Sequence, residues 1–223
     1  MLDPDLLLRA YSIGVFPMSD SRDAKDVFWV EPKRRAILPL GGFRLSRTLR
    51  KTIRGESYQV TCDQAFAEVI RRCSERDETW INPQIEEGFN RLHALGHAHS
   101  VECWRGGELA GGLYGVKLGR AFFGESMFSG RRDASKVALA WLVARMRVGG
   151  FELLDCQFMT DHLRSLGAIE ITQGDYVTVL GSALSGAAGE FGALERLLAS
   201  PGVDGAAAAP PGWVIAQLLG QTS

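Results

Sequence analysis

The sequence predicts an α+β fold, a mixed sheet with flanking helices preceded by a small N-terminal lobe. Three observations carry this. The 223 residues, 46% hydrophobic and 23% charged, suffice for one sizeable core and exclude wholesale disorder, collagen and coiled coil. Between residues 100 and 127 three strand-like runs follow one another, split by turns at Gly106-Gly107 and Gly119, the pattern of an antiparallel meander. Beyond residue 133, segments of helical and extended pattern alternate.

Taken in order, Leu6 to Tyr11 reads as a short helix stopped by Gly14, followed by Phe16-Pro17 and a polar loop over 19–26. So short a stretch cannot hold its own core. It is expected as a lobe (1–35) packed on the main domain (36–180), with a low-complexity tail (181–223) behind. Ala36 to Leu40 is extended and closed by Gly41-Gly42, and Ser46 is placed to cap a helix through Arg54 before Gly55. At about 100° per residue, Arg47, Arg50, Lys51 and Arg54 share one face of that helix, with Leu45, Leu49 and Ile53 opposite. Tyr58 to Cys62 reads as a strand. Asp63 is expected to cap a helix with Phe66, Val69, Ile70 and Cys73 inward, and Asn82-Pro83 opens a helix ending at Gly96. The meander is Ser100–Trp104, Leu109–Lys117 and Arg120–Met127. Asp133 is expected to cap a long helix whose inner stripe includes Ala138, Trp141, Leu142 and Met146, ended by Gly149-Gly150. A strand (Phe151–Phe158), a short helix (Thr160–Gly167) and a last strand from Ala168 complete the domain. Three strands, helix, strand, helix, strand is the acetyltransferase-like (GNAT) order. The stretch 181–212, mostly Gly, Ala, Ser and Pro, reads as a flexible linker, with Trp213, Ile215 and Leu219 available to dock as a terminal helix.

A net charge of -1, from 25 basic and 26 acidic residues, argues against bulk polyelectrolyte binding. Yet between Lys33 and Arg54 every charged residue is basic, and the stripe of Arg47, Arg50, Lys51 and Arg54 is an electrostatic footprint for phosphates. No apolar run reaches the ~18 residues of a membrane span. The start, Met1-Leu2-Asp3-Pro4-Asp5, has acids where a secretory leader has bases, so a cytoplasmic protein without membrane contact is expected. Cys62, Cys73, Cys103 and Cys156 lack paired spacing and read as buried thiols. His93, His97 and His99 straddle a helix end and read as a polar connection, so no metal is expected. Ser129 to Lys136 lacks the ending of a phosphate loop, and no cofactor is expected.

The densest polar placement within an apolar strand is Leu153 to Phe158, where Asp155 and Gln157 alternate with Leu154 and Cys156 and so point to one face. Glu125, inside Phe122 to Phe128, is a second acid among aromatic neighbours. Together they make a candidate site.

Six strings in order, Gly14-Val15-Phe16-Pro17, Thr79-Trp80-Ile81-Asn82, Leu95 to Glu102, Gly111 to Val116, Gly124 to Ser129 and Leu154-Asp155-Cys156-Gln157, resemble leucyl/phenylalanyl-tRNA-protein transferases. The resemblance covers about residues 6 to 175. It implies a bacterial cytosolic enzyme of the N-degron pathway that moves Leu, Phe or Met from aminoacyl-tRNA to proteins with N-terminal Arg or Lys. It further implies catalytic roles for Asp155 and Gln157. Glu125 would read the basic acceptor, Leu113, Phe122, Met127, Leu142, Met146 and Leu154 would line a donor pocket, and Trp80 and Met18 would hold the terminal adenosine. The chain departs from the family pattern at Met18, where an aromatic is expected, and at Leu142 and Met146. A coenzyme A dependent acetyltransferase would share the element order but needs a Gly-rich pyrophosphate loop before the long helix. A non-catalytic RNA-binding module would explain the basic helix but not the polar convergence.

Overall fold

The computed structural model describes residues 2–198 and 210–220. Its centre is a seven-stranded mixed sheet with helices on both faces, the architecture the sequence predicts. Helix α1 (Pro4–Ser12) starts on Asp3, whose carboxylate accepts the Leu6 N–H at 3.1 Å, with Pro4 in the first turn. A two-stranded hairpin, β1 (Phe16–Met18) and β2 (Phe28–Val30), follows. The sequence reading has only a loop after Phe16-Pro17, because three-residue strands are too short to show a period.

Strand β3 (Arg34–Ile37) begins earlier than the apolar run suggests and lies in the sheet interior. Helix α2 (Arg47–Arg54) is capped by Ser46, whose hydroxyl accepts the Leu49 N–H, and buries Leu49 and Ile53. Strand β4 (Gln59–Cys62) leads to α3 (Phe66–Ser74). Asp63 does not cap α3, which starts after Ala65. Its carboxylate instead accepts the Ser100 N–H at 2.8 Å and faces His99 Nδ1 at 2.7 Å, because Asp63 adopts a positive φ of 58° and turns away. Helix α4 (Pro83–Ala94) is capped by Asn82, which accepts from Ile85.

The meander is β5 (Ala98–Arg105), β6 (Glu108–Leu118) and β7 (Ala121–Ser129). Then come α5 (Ala134–Val148), β8 (Leu153–Gln157), α6 (Asp161–Ser165) and β9 (Ile169–Thr172). The strand order is β4-β5-β6-β7-β8-β3-β9, antiparallel throughout except for the parallel pair β7 and β8, which α5 connects. Asp133 holds the N-cap position of α5 in a left-handed conformation (φ 61°) but makes no side-chain cap, pairing with Lys136 at 3.0 Å instead. Gly115 in β6 cannot be replaced: a Cβ there would lie 2.2 Å from the Phe123 carbonyl oxygen.

The last strand ends at Thr172, which caps α7 (Gln173–Leu184), a helix that the sequence reading lacks and that buries Tyr176 and Leu180. The linker reading of 181–212 is corrected where residues are described. Helix α8 (Ala193–Leu198) and the residues before it are packed, with Phe191 stacked on His99 (4.1 Å between centroids) and Arg145 over its ring at 5.0 Å. Residues 199–209 of that stretch lie outside the described residues. Helix α9 (Gly212–Gly220) packs Ile215 and Leu219 into the core. One core cluster joins α2, α5, α8 and α9 to one sheet face, and a second joins α1, α3, α4 and α7 to the other. Among the described residues no helix is long and apolar enough to cross a membrane.

Candidate active site

Strands β7 and β8 pair only from Ala121/Leu153 to Phe123/Asp155. Beyond that point they separate, and a cavity of about 400 Å³ opens between them. Gly124 to Met127 form one wall and Leu154, Cys156, Gln157 and Phe158 the other, with Leu113, Leu142 and Trp80 completing the lining. A parallel pair that parts within its length leaves strand-end side chains facing a gap rather than a neighbour, which puts polar groups from both strands at one spot.

Four of the expected donor-pocket residues, Leu113, Met127, Leu142 and Leu154, line this cavity. Phe122 and Met146 do not. Phe122 lies over Gly115 and stacks on Phe191 at 5.5 Å, and Met146 is fully buried in the same core, because their positions on β7 and α5 face the helix layer. Trp80 is in the wall, whereas Met18 packs with the core of α1, α3 and α4. The two segments are tied by the Ser19 hydroxyl, which donates to the Trp80 carbonyl at 2.9 Å.

Glu125 and Gln157 meet at the lip of the cavity. Gln157 Nε2 donates to Glu125 Oε1 at 2.8 Å, and the Tyr11 hydroxyl donates to the same oxygen at 2.7 Å. Glu125 Oε2 is buried without a partner among the described residues. Burial pushes the Glu125 carboxyl up to about 7, against the two hydrogen bonds that favour its charge. A half-satisfied buried carboxylate is a place where a cationic or hydrogen-bonding ligand group gains energy.

Asp155 and Gln157, expected to face one spot, have separate surroundings. Asp155 is wholly buried beneath the cavity. Arg35, itself 1% exposed, donates to it through Nε at 2.9 Å and Nη2 at 2.6 Å, and the Tyr176 hydroxyl donates at 2.7 Å. The Arg35 guanidinium lies between the rings of Phe16 (4.7 Å) and Tyr176 (4.5 Å), and its Nη1 donates to the Gly14 carbonyl at 2.8 Å. Gly14 has a φ of 81°, and a Cβ there would lie 2.8 Å from the Tyr176 ring. The remaining Asp155 bond goes up: Oδ1 accepts the Gln157 backbone N–H at 2.8 Å. Gln157 holds a φ of 61°, a strained conformation for a non-glycine residue, and the Asp155 bond helps to hold it. Burial and the Asp155 charge push the Tyr176 phenol up, and burial and Glu125 do the same to Tyr11.

Sequence reasoning found Glu125 and Gln157 but missed Tyr11, Arg35 and Tyr176. Arg35 carries one signal, a charge directly before the apolar run Ala36 to Leu38; it counted there as one of a basic series. The basic stripe is formed as expected: Arg47, Arg50, Lys51 and Arg54 are all exposed on α2, away from Leu49 and Ile53.

The family described as leucyl/phenylalanyl-tRNA protein transferase matches residues 37–181, and its N-terminal domain matches residues 1–33. The chain is 59% identical to the leucyl/phenylalanyl-tRNA–protein transferase of Rhizorhabdus wittichii, covering 100% of this chain and 99% of that one. It is 57% identical to that of Zymomonas mobilis over 88% of this chain and 77% of the relative. Against that of Cereibacter sphaeroides the identity is 59%, over 84% and 87%. On these matches, which run from the N-terminal lobe through the sheet that carries Glu125, Asp155 and Gln157, the chain belongs to the leucyl/phenylalanyl-tRNA–protein transferase family of aminoacyltransferases.

Proposed function

We propose that this enzyme transfers Leu, Phe or Met from aminoacyl-tRNA to the α-amine of acceptor proteins that begin with Arg or Lys, marking them in the N-degron pathway. The observation that carries the reading is the buried oxygen of Glu125 that has no partner among the described residues, beside Gln157 at the lip of an apolar cavity of about 400 Å³. The cavity suits an aliphatic or aromatic side chain. The carboxylate suits a guanidinium or ammonium.

The reaction is aminolysis of an activated ester. The amine nitrogen bonds to the carbonyl carbon, the bond to the ribose oxygen breaks, the nitrogen loses one proton and the ribose oxygen gains one. No metal or cofactor is required by this chemistry, and positioning can supply the rate. An α-amine of pKa about 7.7 to 8.0 is roughly one part in seven neutral at pH 7, so strong base help is not needed. Because Gln157 Nε2 is committed to Glu125, its amide oxygen is the end left to accept a hydrogen bond from the attacking amine. Asp155 serves as a positioning residue, through the Gln157 N–H it accepts. Trp80 offers its ring to the terminal adenine, where stacking is worth about 1 to 3 kcal/mol. The exposed cations of α2 contact tRNA phosphates.

The test mixes the pure chain with labelled leucyl-tRNA and a peptide beginning with Arg, with acetyl-coenzyme A in a parallel arm. Label in the peptide from leucyl-tRNA is the expected result. Acetylation without aminoacyl transfer would falsify the reading.

A further inference from the structure

Beside the apolar cavity, and sharing Arg76, Met127 and His162 with it, lies a cleft of about 620 Å³ that the roles above leave unused. One side is Arg72 and Glu75 from the end of α3. The other is Asp133, Ser135 and Lys136 at the start of α5, and the floor is Phe128 to Gly130. Three cations line it. Arg72 is held over the Phe128 ring at 5.2 Å and Arg76 is anchored on the Met127 carbonyl. The acids beside them are already engaged, Glu75 with Arg71 and Arg72 and Asp133 with Lys136 and Arg132. His162 Nε2 has no partner among the described residues.

The cleft does not end at α5. A groove of about 280 Å³ shares Asp133 with it and continues past Arg132 and Arg105 to Thr48 and Thr52 of α2. A concave track therefore runs from the Thr48 and Thr52 side of α2, over the start of α5, into the cavity. At the start of α5 the Ala134 and Ser135 N–H groups already donate to the Arg131 carbonyl (3.2 Å) and the Ser129 hydroxyl (3.3 Å), so the cationic side chains carry the attraction.

A basic acceptor is repelled from such a track, whereas a polyanion is drawn along it. Only one ribose separates an aminoacyl ester from the first phosphate of a nucleic acid chain, so a donor with its acyl group in the cavity must place that phosphate close to the mouth. The cleft opens at that mouth. We propose that the cleft between α3 and α5 holds the phosphodiester backbone of the donor's 3′-terminal nucleotides, with Arg72 and Lys136 as phosphate partners; this rests on the donor being an aminoacyl-tRNA.

The test compares two donors, leucyl-tRNA and 3′-O-leucyl-adenosine, which has no phosphate, with the full chain and with the Arg72→Gln/Lys136→Gln variant. The variant is expected to raise the KM for leucyl-tRNA about tenfold, and to make its salt dependence shallower by about 1.4 in log-log slope, two single-strand contacts. Transfer from leucyl-adenosine should stay within twofold, and Lys136→Arg should keep the parent KM for leucyl-tRNA. An unchanged KM and salt slope, or equal losses with both donors, overturns the proposal. A raised KM for the acceptor peptide alone overturns it in favour of an acceptor role. No transfer from either donor by the unsubstituted chain overturns the function itself and the cleft proposal with it, an outcome distinct from the others.

Discussion

Replacing Asp155 by Asn keeps the side-chain shape but leaves the Arg35 charge, 1% exposed, without its counter-ion. Breaking a buried pair by removing one partner costs about 3 to 5 kcal/mol, because the orphaned charge cannot reach water. Asp155→Asn should therefore lower the urea midpoint markedly, and the folded remainder should lose kcat more than acceptor KM as Gln157 drifts. Replacing both Arg35 and Asp155 by apolar residues of similar size should recover much of the stability. A melting curve for Asp155→Asn that overlays the parent would refute the pair's structural weight. Glu125 makes a different prediction. Its folded pKa, about 7, is raised from 4.5, so folding favours the protonated form. The stability this provides is full below pH 4.5 and is lost as pH rises through 7. Glu125→Gln, which cannot ionise, should gain in melting temperature relative to the parent between pH 5 and pH 8. In kinetics, the parent's kcat/KM for an Arg-starting peptide should fall as pH drops below 7, by a step that Glu125→Gln lacks; ionisation of the acceptor amine affects both alike. A difference in melting temperature that is flat with pH would count against the raised pKa.

At the scale of elements, the C-terminal segment is part of the core despite its composition. Phe191 contacts His99, Phe122, Phe151 and Arg145 at once. Phe191→Ala should cost about 3 to 5 kcal/mol, the usual range for a buried aromatic truncated to Ala, measured by chemical denaturation; a loss under 1 kcal/mol would mean α8 is not held by this ring. Helix α2 divides its labour by face. Arg50→Gln/Lys51→Gln should leave stability unchanged, because both side chains are exposed and Leu49 and Ile53 do the packing. The same change should weaken tRNA of all isoacceptors alike and make the salt slope shallower by about 1.8, two duplex contacts. Binding with the parent's salt slope would remove α2 from the tRNA surface.

At the scale of the whole molecule, long amphipathic elements were legible because each carries its own period and its own stop. Helices α2 and α4 are of this kind, whereas α5 and the meander strands, buried on nearly all sides, were legible as apolar runs bounded by glycine stops. The caps at Ser46 and Asn82 read correctly, since a cap is a contact within three residues. Asp63 and Asp133 did not: the tertiary structure gives the Asp63 carboxylate His99 as a partner, and Asp133, held at a left-handed φ of 61°, turns its carboxylate to Lys136 within the same helix. Helix α7 was missed, since in Gln173 to Leu184 only Tyr176, Leu180 and Ala183 are buried, too sparse a stripe to outweigh the β-branched residues beside it. Of the site, Glu125 and Gln157 were visible as polar residues inside apolar strands. The sequence by itself determined this much: the element order, the basic face of α2, and two chemical groups at the ends of adjacent strands. The tertiary structure decided which polar group faces the cavity and which lies beneath it. Tyr11 reaches Glu125 across 114 residues of chain and Arg35 reaches Asp155 across 120, and no local pattern encodes a bond over that separation. Only where β7 and β8 part does burial divide the roles, because Asp155 lies at the last paired position and Gln157 beyond it.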